Sequence, residues 1–153
     1  MPSSPVTVRA ARTSDADVIA DYNVRMALET ESIDLDPKTV GAGVRAALAD
    51  PGKAMYFVAE CDEIVVGQLM ISHEWSDWRN GDLWWIQSVY VHPDYRRCGA
   101  FKALYHHVEA QARRDGAAGL RLYVDADNTP AQHAYTRLGM HVSNYKVMEV
   151  MFG

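Results

Sequence analysis

The sequence predicts a mixed α/β domain, with helices laid against a sheet, and three observations carry that expectation. Apolar, β-rich runs alternate with helical-period segments in the order β-α-α-β-β-β-α-β-α-β-β. The junctions Asp50-Pro51-Gly52 and Asp127-Asn128-Thr129-Pro130 carry strong stop and start chemistry. No repeat, low-complexity tract or linker interrupts the 153 residues, so residues 1–153 are expected to form one domain around one core.

Residues 6–11 read as a first strand. Thr13, Ser14 and Asp15 then offer an N-cap for a helix to about Thr30, in which Val18, Ile19, Tyr22 and Met26 recur near helical spacing. Pro37 suits the first turn of a second helix, whose apolar face is Val40, Val44, Ala47 and Leu48. Residues 54–61 and 64–73, separated only by Asp62-Glu63, predict an antiparallel hairpin. A polar, Trp-bearing loop follows over 74–82, and residues 83–91 form a third long strand. That strand runs through His92-Pro93 into Arg96-Arg97-Cys98-Gly99-Ala100, from which a helix extends to about Arg114. Residues 120–124 alternate as a strand, and a short capped helix ends at Gly139. Residues 142–152, interrupted by Ser143-Asn144, supply one or two closing strands, giving six or seven strands and about four helices.

The net charge of -5 argues against a nucleic-acid binder, because such proteins concentrate Lys and Arg against phosphates. Met1-Pro2-Ser3-Ser4-Pro5 lacks the basic start and apolar run of a secretory signal, and no stretch approaches the roughly 20 apolar residues of a membrane helix. A cytoplasmic protein without membrane partners is expected, with Cys61 and Cys98 as reduced thiols. Neither these Cys nor His106 and His107 have metal-ligand spacing, so no metal is expected.

The chemistry-bearing feature is a strand that ends in Arg96-Arg97-Cys98-Gly99-Ala100-Phe101-Lys102 and passes into a helix. A helix start exposes unpaired N–H groups and a partial positive charge, which suits phosphate. Gly99 lacks the Cβ that would obstruct an anion, while Arg96, Arg97 and Lys102 attract one. The segment fits neither the P-loop pattern nor the dinucleotide fingerprint, which argues against nucleotide hydrolysis. Taken alone, it can also be read as a glycine-eased turn with solvated arginines.

A second pattern lies downstream, where Asn128, Ala131, Tyr135, Gly139 and Met140 match N-x-x-A-x-x-x-Y-x-x-x-G-[FM]. Upstream, Val89, Val91, Pro93, Arg96 and Gly99 match V-x-V-x-P-x-x-R-x-x-G. In this order and separation the two patterns resemble the signatures of the GNAT superfamily of acetyl-CoA-dependent N-acetyltransferases, whose plan the predicted elements follow across nearly the whole chain. One departure is Phe101, which stands where the family usually has a small Gly or Ala.

The resemblance implies a mostly antiparallel twisted sheet with an acyl-CoA cleft where two neighbouring parallel strands, 83–91 and 120–124, splay apart. It implies acyl-CoA contacts over Val89, Tyr90, Val91, Arg96, Arg97, Cys98, Gly99, Ala100, Phe101, Lys102, Asn128 and Tyr135, with the backbone of 97–102 on the pyrophosphate. The implied reaction is attack of a neutral amine on the thioester without an enzyme nucleophile. The Val89 N–H would stabilise the oxyanion and Tyr135 would protonate the departing thiolate as general acid. Tyr135 also has the spacing of an ordinary core residue. The base is open: Gln87 could order a water, and Glu29, Glu31, Glu74 and Asp77 are carboxylates in segments expected to border the acceptor. Cys98 beside a helix start admits an acyl-Cys route, although no His pairs with it in the sequence.

Trp75, Trp78 and Trp85 with the neighbouring acids could form a pocket for a small-molecule or peptide amine, or could pack a hairpin tip or subunit contact. By analogy a homodimer through the C-terminal strand is expected. A non-catalytic CoA-binding module and a nucleotide-sensing module remain alternatives, to be told apart by turnover and by preference between CoA and adenine nucleotides.

Overall fold

The computed structural model describes residues 5–153, and the chain divides into two compact units, Met1–Leu122 and Tyr123–Gly153. The first contains β1 (Thr7–Ala10), α1 (Ala16–Glu31), α2 (Pro37–Ala49), β2 (Met55–Cys61), β3 (Ile64–Ser76), β4 (Gly81–Val91), α3 (Ala100–Arg114) and β5 (Gly119–Leu122). Single 3-10 turns precede α1 at Thr13–Asp15 and follow β4 at Pro93–Tyr95. The second unit contains α4 (Thr129–Arg137). This is the mixed, mostly antiparallel α/β arrangement anticipated from the sequence, with four α-helices and a sheet of five strands among the described residues rather than six or seven strands.

The sheet runs in the order β1-β2-β3-β4-β5, antiparallel except for the parallel pair β4–β5. A parallel pair needs a crossover, and α3 supplies it between β4 and β5. Strand side chains alternate between faces, and the two faces take different helices. Tyr56 and Val58 pack with Ile19 of α1 and Val44 and Ala47 of α2. Phe57 points the other way, its ring 5.3 Å from that of His107 on α3, where burial lowers the His107 pKa. Gly67 makes that second face close: a Cβ there would stand 2.9 Å from the Tyr90 carbonyl oxygen and 3.5 Å from Leu104 of α3.

Local chemistry accounts for the element ends. The Asp36 side chain accepts from the Lys38 N–H and the Thr39 hydroxyl at the start of α2, with Pro37 in its first turn. Asp62 and Glu63 both have positive φ, 53° and 63°, the backbone of a two-residue hairpin turn between β2 and β3. The loop expected over 74–82 is mostly strand. Glu74, Trp75 and Ser76 pair with Leu83, Asp82 and Gly81, so only residues 77–80 turn.

The closing strands expected over 142–152 do not form. That segment has no regular structure, and its apolar side chains Val142, Tyr145, Val147, Met148, Val150, Met151 and Phe152 are exposed. β-propensity is local but a strand exists only as half of a ladder, and residues 123–153 hold no other strand to pair with.

Two polar clusters tie the first unit together. Arg9 on β1 donates to both Asp15 oxygens, at 2.8 and 3.0 Å, and to Glu60 on β2 at 3.0 Å, while Asp15 also accepts the Arg12 N–H at 2.6 Å. The Arg9 hydrogen bond holds the Asp15 carboxyl below the usual carboxylate range. A carboxylate with a depressed folded-state pKa stabilises the fold above its unfolded pKa of about 4 and loses that contribution as pH falls through the folded value. Arg9→Ala is therefore expected to cost about 2 kcal/mol at neutral pH by stranding a buried carboxylate, and to flatten the acid side of the stability curve. Thermal melts of both proteins between pH 3 and 7 check this, and parallel curves would remove the assignment. In the second cluster the fully buried Gln68 amide donates to Asn23 at 3.1 Å, and Asn23 to the Tyr56 hydroxyl at 3.4 Å, joining α1 to β2 and β3.

Candidate functional site

The site starts from the far half of β4. Parallel pairing with β5 runs from Leu83↔Gly119 to Ile86↔Leu122, and beyond Ile86 no strand of the first unit pairs with β4 on that side. On its other side β4 carries a bulge. Met70 faces Ser88 and Ile71 faces Ile86, leaving Gln87 as the extra residue, with its amide donating to Ser72 Oγ at 2.8 Å. The His92 N–H donates to the Val66 carbonyl of β3 at 2.8 Å. Backbone groups alternate sides along a strand, so the Tyr90 N–H also faces β3, while those of Val89 and Val91 face the open edge.

This edge leads into the basic turn. Arg97 and Gly99 have φ of 80° and 88°, both left-handed, and Gly99 is the N-cap of α3. A non-glycine residue in that region is costly and uncommon away from turns and functional sites. Left-handed residues alternating with ordinary ones turn successive N–H groups to a common side, which forms a concavity for anions. The helical ladder of α3 begins with the Ala103 N–H on the Gly99 carbonyl at 2.9 Å, so the N–H groups of residues 100–102 stand ahead of it, while the Cys98 N–H donates to the Tyr95 carbonyl at 3.4 Å. A pocket of about 370 Å³ lies here, lined by Val91, Tyr95, Arg96, Arg97, Gly99, Ala100, Phe101 and Lys102. A Cβ on Gly99 would meet no protein atom within 4 Å, so the glycine serves the left-handed backbone and leaves open space before the turn. Among the described residues, no carboxylate pairs with Arg97 or Lys102. Phe101, the residue larger than the family pattern has, is half-buried and lines the pocket.

Arg96 is placed differently from the other two cations. Its Nε donates to the Val91 carbonyl at 2.9 Å and its Nη2 to Glu29 Oε1 at 2.9 Å, across from the end of α1. The buried Tyr90 donates its hydroxyl to Glu29 Oε2. The Tyr90 hydrogen bond, then that of Arg96, holds the Glu29 carboxyl below the usual range. Burial, followed by the Glu29 carboxylate, pushes Tyr90 up to about 12. Glu29 is thus a committed acceptor with low basicity.

Glu74 is similarly committed, accepting from the Trp85 indole at 2.7 Å and from Arg121 at 3.1 Å, the indole being the larger cause of its lowered pKa. Glu31 ends α1 and Asp77 sits in the β3–β4 turn, both exposed. Trp75 is 61% and Trp78 89% exposed at the tip of that hairpin. The Cys98 thiol donates to the Tyr95 carbonyl at 2.6 Å, which orients its proton toward the backbone. In the second unit Asn128 accepts the Ala131 N–H at 3.2 Å as the N-cap of α4, and Tyr135 is half-buried on that helix.

The first unit thus brings together Val89, Val91 and the segment Arg96–Lys102, and it ties Glu29 to Tyr90 and Arg96. Sequence reasoning missed this last link because residues 61 and 67 positions apart leave no local trace of contact. Gln87 as a bulge residue was equally hidden, since its neighbours read as continuous strand. Among the described residues, no group of three His, Cys, Asp or Glu is placed to hold a metal ion, and no helix is long and apolar enough to cross a membrane.

The model of the Acetyltransferase (GNAT) family matches residues 21–140. The chain belongs to the GNAT family. Among solved structures it is similar to a possible acetyltransferase from Clostridium difficile 630, at 40% identity over 97% of this chain and 98% of that one, with a TM-score of 0.91. It is similar in fold to a ribosomal-protein-alanine N-acetyltransferase from Brucella melitensis biovar Abortus 2308, at 18% identity, 96% and 99% coverage and a TM-score of 0.76. An aminoglycoside N-acetyltransferase solved in complex with CoA is similar at 18% identity, 97% and 96% coverage and a TM-score of 0.78. No match is found among curated proteins.

Proposed function

We propose that this chain transfers an acetyl group from acetyl-CoA to a primary amine by direct attack in a ternary complex. The observation that carries this reading is the unpaired edge of β4 beyond Ile86, running into the left-handed turn at Arg97–Gly99. A pantetheine arm can hydrogen-bond to a strand edge much as another strand would, and a pyrophosphate can take N–H groups at a helix start. On this reading Val89 and Val91 receive the arm, and the Val89 N–H donates to the oxygen that gains charge as the amine attacks. Residues 97–102 hold the pyrophosphate.

The bond formed is nitrogen to carbonyl carbon, the bond broken is carbon to sulfur, and two protons move. Tyr135 is the proposed source of the proton for the departing thiolate, on the strength of its place in the Asn128-to-Met140 pattern. Glu29 and Glu74 are poor candidates for the base, because each already accepts two hydrogen bonds in its charged form. Gln87 stands beside Ser72 as a candidate for ordering a water that takes the amine proton. The exposed Trp75 and Trp78 suit a cationic acceptor, since aromatic faces attract ammonium groups.

The test is release of free thiol on mixing the protein with acetyl-CoA and a panel of polyamines, aminoglycosides, amino acids and peptide N-termini, with CoA calorimetry in parallel. Acceptor-dependent release is expected. CoA binding with no turnover on any acceptor would move the reading to a binding module, and no CoA binding would overturn it.

A further inference from the structure

Arg96 lines the pocket at the basic turn, yet its guanidinium is already engaged. Nε is on the Val91 carbonyl, Nη2 is on Glu29, and the guanidinium carbon lies 5.3 Å from the centre of the Tyr90 ring. Both Glu29 oxygens are used, one by Arg96 and one by the Tyr90 hydroxyl. Tyr90 is itself fixed, with its ring 5.2 Å from that of Tyr22, whose hydroxyl donates to the Val65 carbonyl at 2.7 Å. The end of α1, the end of β4 and the turn before α3 are thereby closed into one circuit.

The atom that Arg96 Nε caps matters. The Val91 carbonyl lies on the same open edge as its N–H, where a neighbouring strand would otherwise bond it. Capping it fixes the last residue of β4, from which the chain must reach the left-handed pair Arg97 and Gly99 within a few bonds. Among the described residues Arg97 and Lys102 pair with no carboxylate, and both line the pocket.

We infer that Glu29 is a positioning residue for acyl-donor binding: it holds Arg96 against the end of β4, where Arg96 shapes the turn instead of pairing with phosphate. The inference rests on the acyl-CoA reading above. It has a sign that simple electrostatics does not share. If Arg96 acted only as charge, deleting a carboxylate beside a polyanion site would strengthen binding. If Glu29 clamps the turn, the same deletion weakens it.

Glu29→Gln and Tyr90→Phe are titrated with CoA by calorimetry beside the wild type, over a range of salt. Glu29→Gln is expected to weaken CoA about tenfold, and Tyr90→Phe, which keeps the ion pair and loses one hydrogen bond, about threefold. The salt slope should stay the same, because the number of phosphate contacts is unchanged. Equal or tighter binding by Glu29→Gln, or a steeper salt slope as a freed Arg96 joins the phosphates, overturns the inference. Should Glu29→Gln fail to fold, Tyr90→Phe decides alone, and wild-type affinity there overturns it. A wild type that does not bind CoA would instead remove the functional reading on which the inference stands.

Discussion

Gly99→Glu should lower CoA affinity at least about a hundredfold, and the expected loss has two separable parts. The first is backbone. Gly99 sits at φ 88°, where an L side chain costs about 1–2 kcal/mol, so the substituted turn is driven away from the conformation that gathers its N–H groups. The second is charge. A carboxylate within about 4 Å of a phosphate, at a partly shielded surface, adds repulsion of about 1–4 kcal/mol, and the side chain occupies the open space before the turn. Gly99→Ala separates the two, because its Cβ meets no protein atom and adds only strain. It should lower thermal stability modestly and cost affinity far less than glutamate does. Calorimetry with CoA on all three proteins measures this, and wild-type affinity in Gly99→Glu would show that phosphate does not bind at the turn.

Tyr135→Phe should reduce kcat about a hundredfold or more while the dissociation constant for CoA stays within about twofold of wild type. The phenol is needed as the thiolate departs, and a ground-state complex gains little from it. Removing only the hydroxyl retains the ring, and with it any packing role on α4. An unaltered kcat across the pH range would withdraw Tyr135 as the acid and leave protonation to water or to another group.

Much of the architecture could be read from residues alone where the signal was local. Asp36-Pro37 opens α2 as expected because its cap uses a backbone N–H two positions away and a hydroxyl three positions away. The hairpin at Asp62-Glu63 forms because the spacing admits only a two-residue turn. The same locality misled at the C-terminal end. Residues 142–152 have strand composition without forming a strand, since a ladder needs a partner that composition does not announce. The loop expected over 74–82 shortened for the converse reason, as its polar residues found cross-strand partners.

By itself, the sequence determined the order of the elements as far as α4, the basic turn with its glycine, and the family to which the chain belongs. Each is written in short spacings that backbone sterics and helix geometry translate directly. Only the tertiary structure decided which groups on that frame are free to act. It ended the pairing of β4 with β5 at Ile86, made Gln87 a bulge, and spent Glu29 and Glu74 on Tyr90, Arg96, Trp85 and Arg121. Those outcomes depend on strand register and on contacts between residues far apart in the chain, where hydrogen-bonding capacity is allotted by proximity in space.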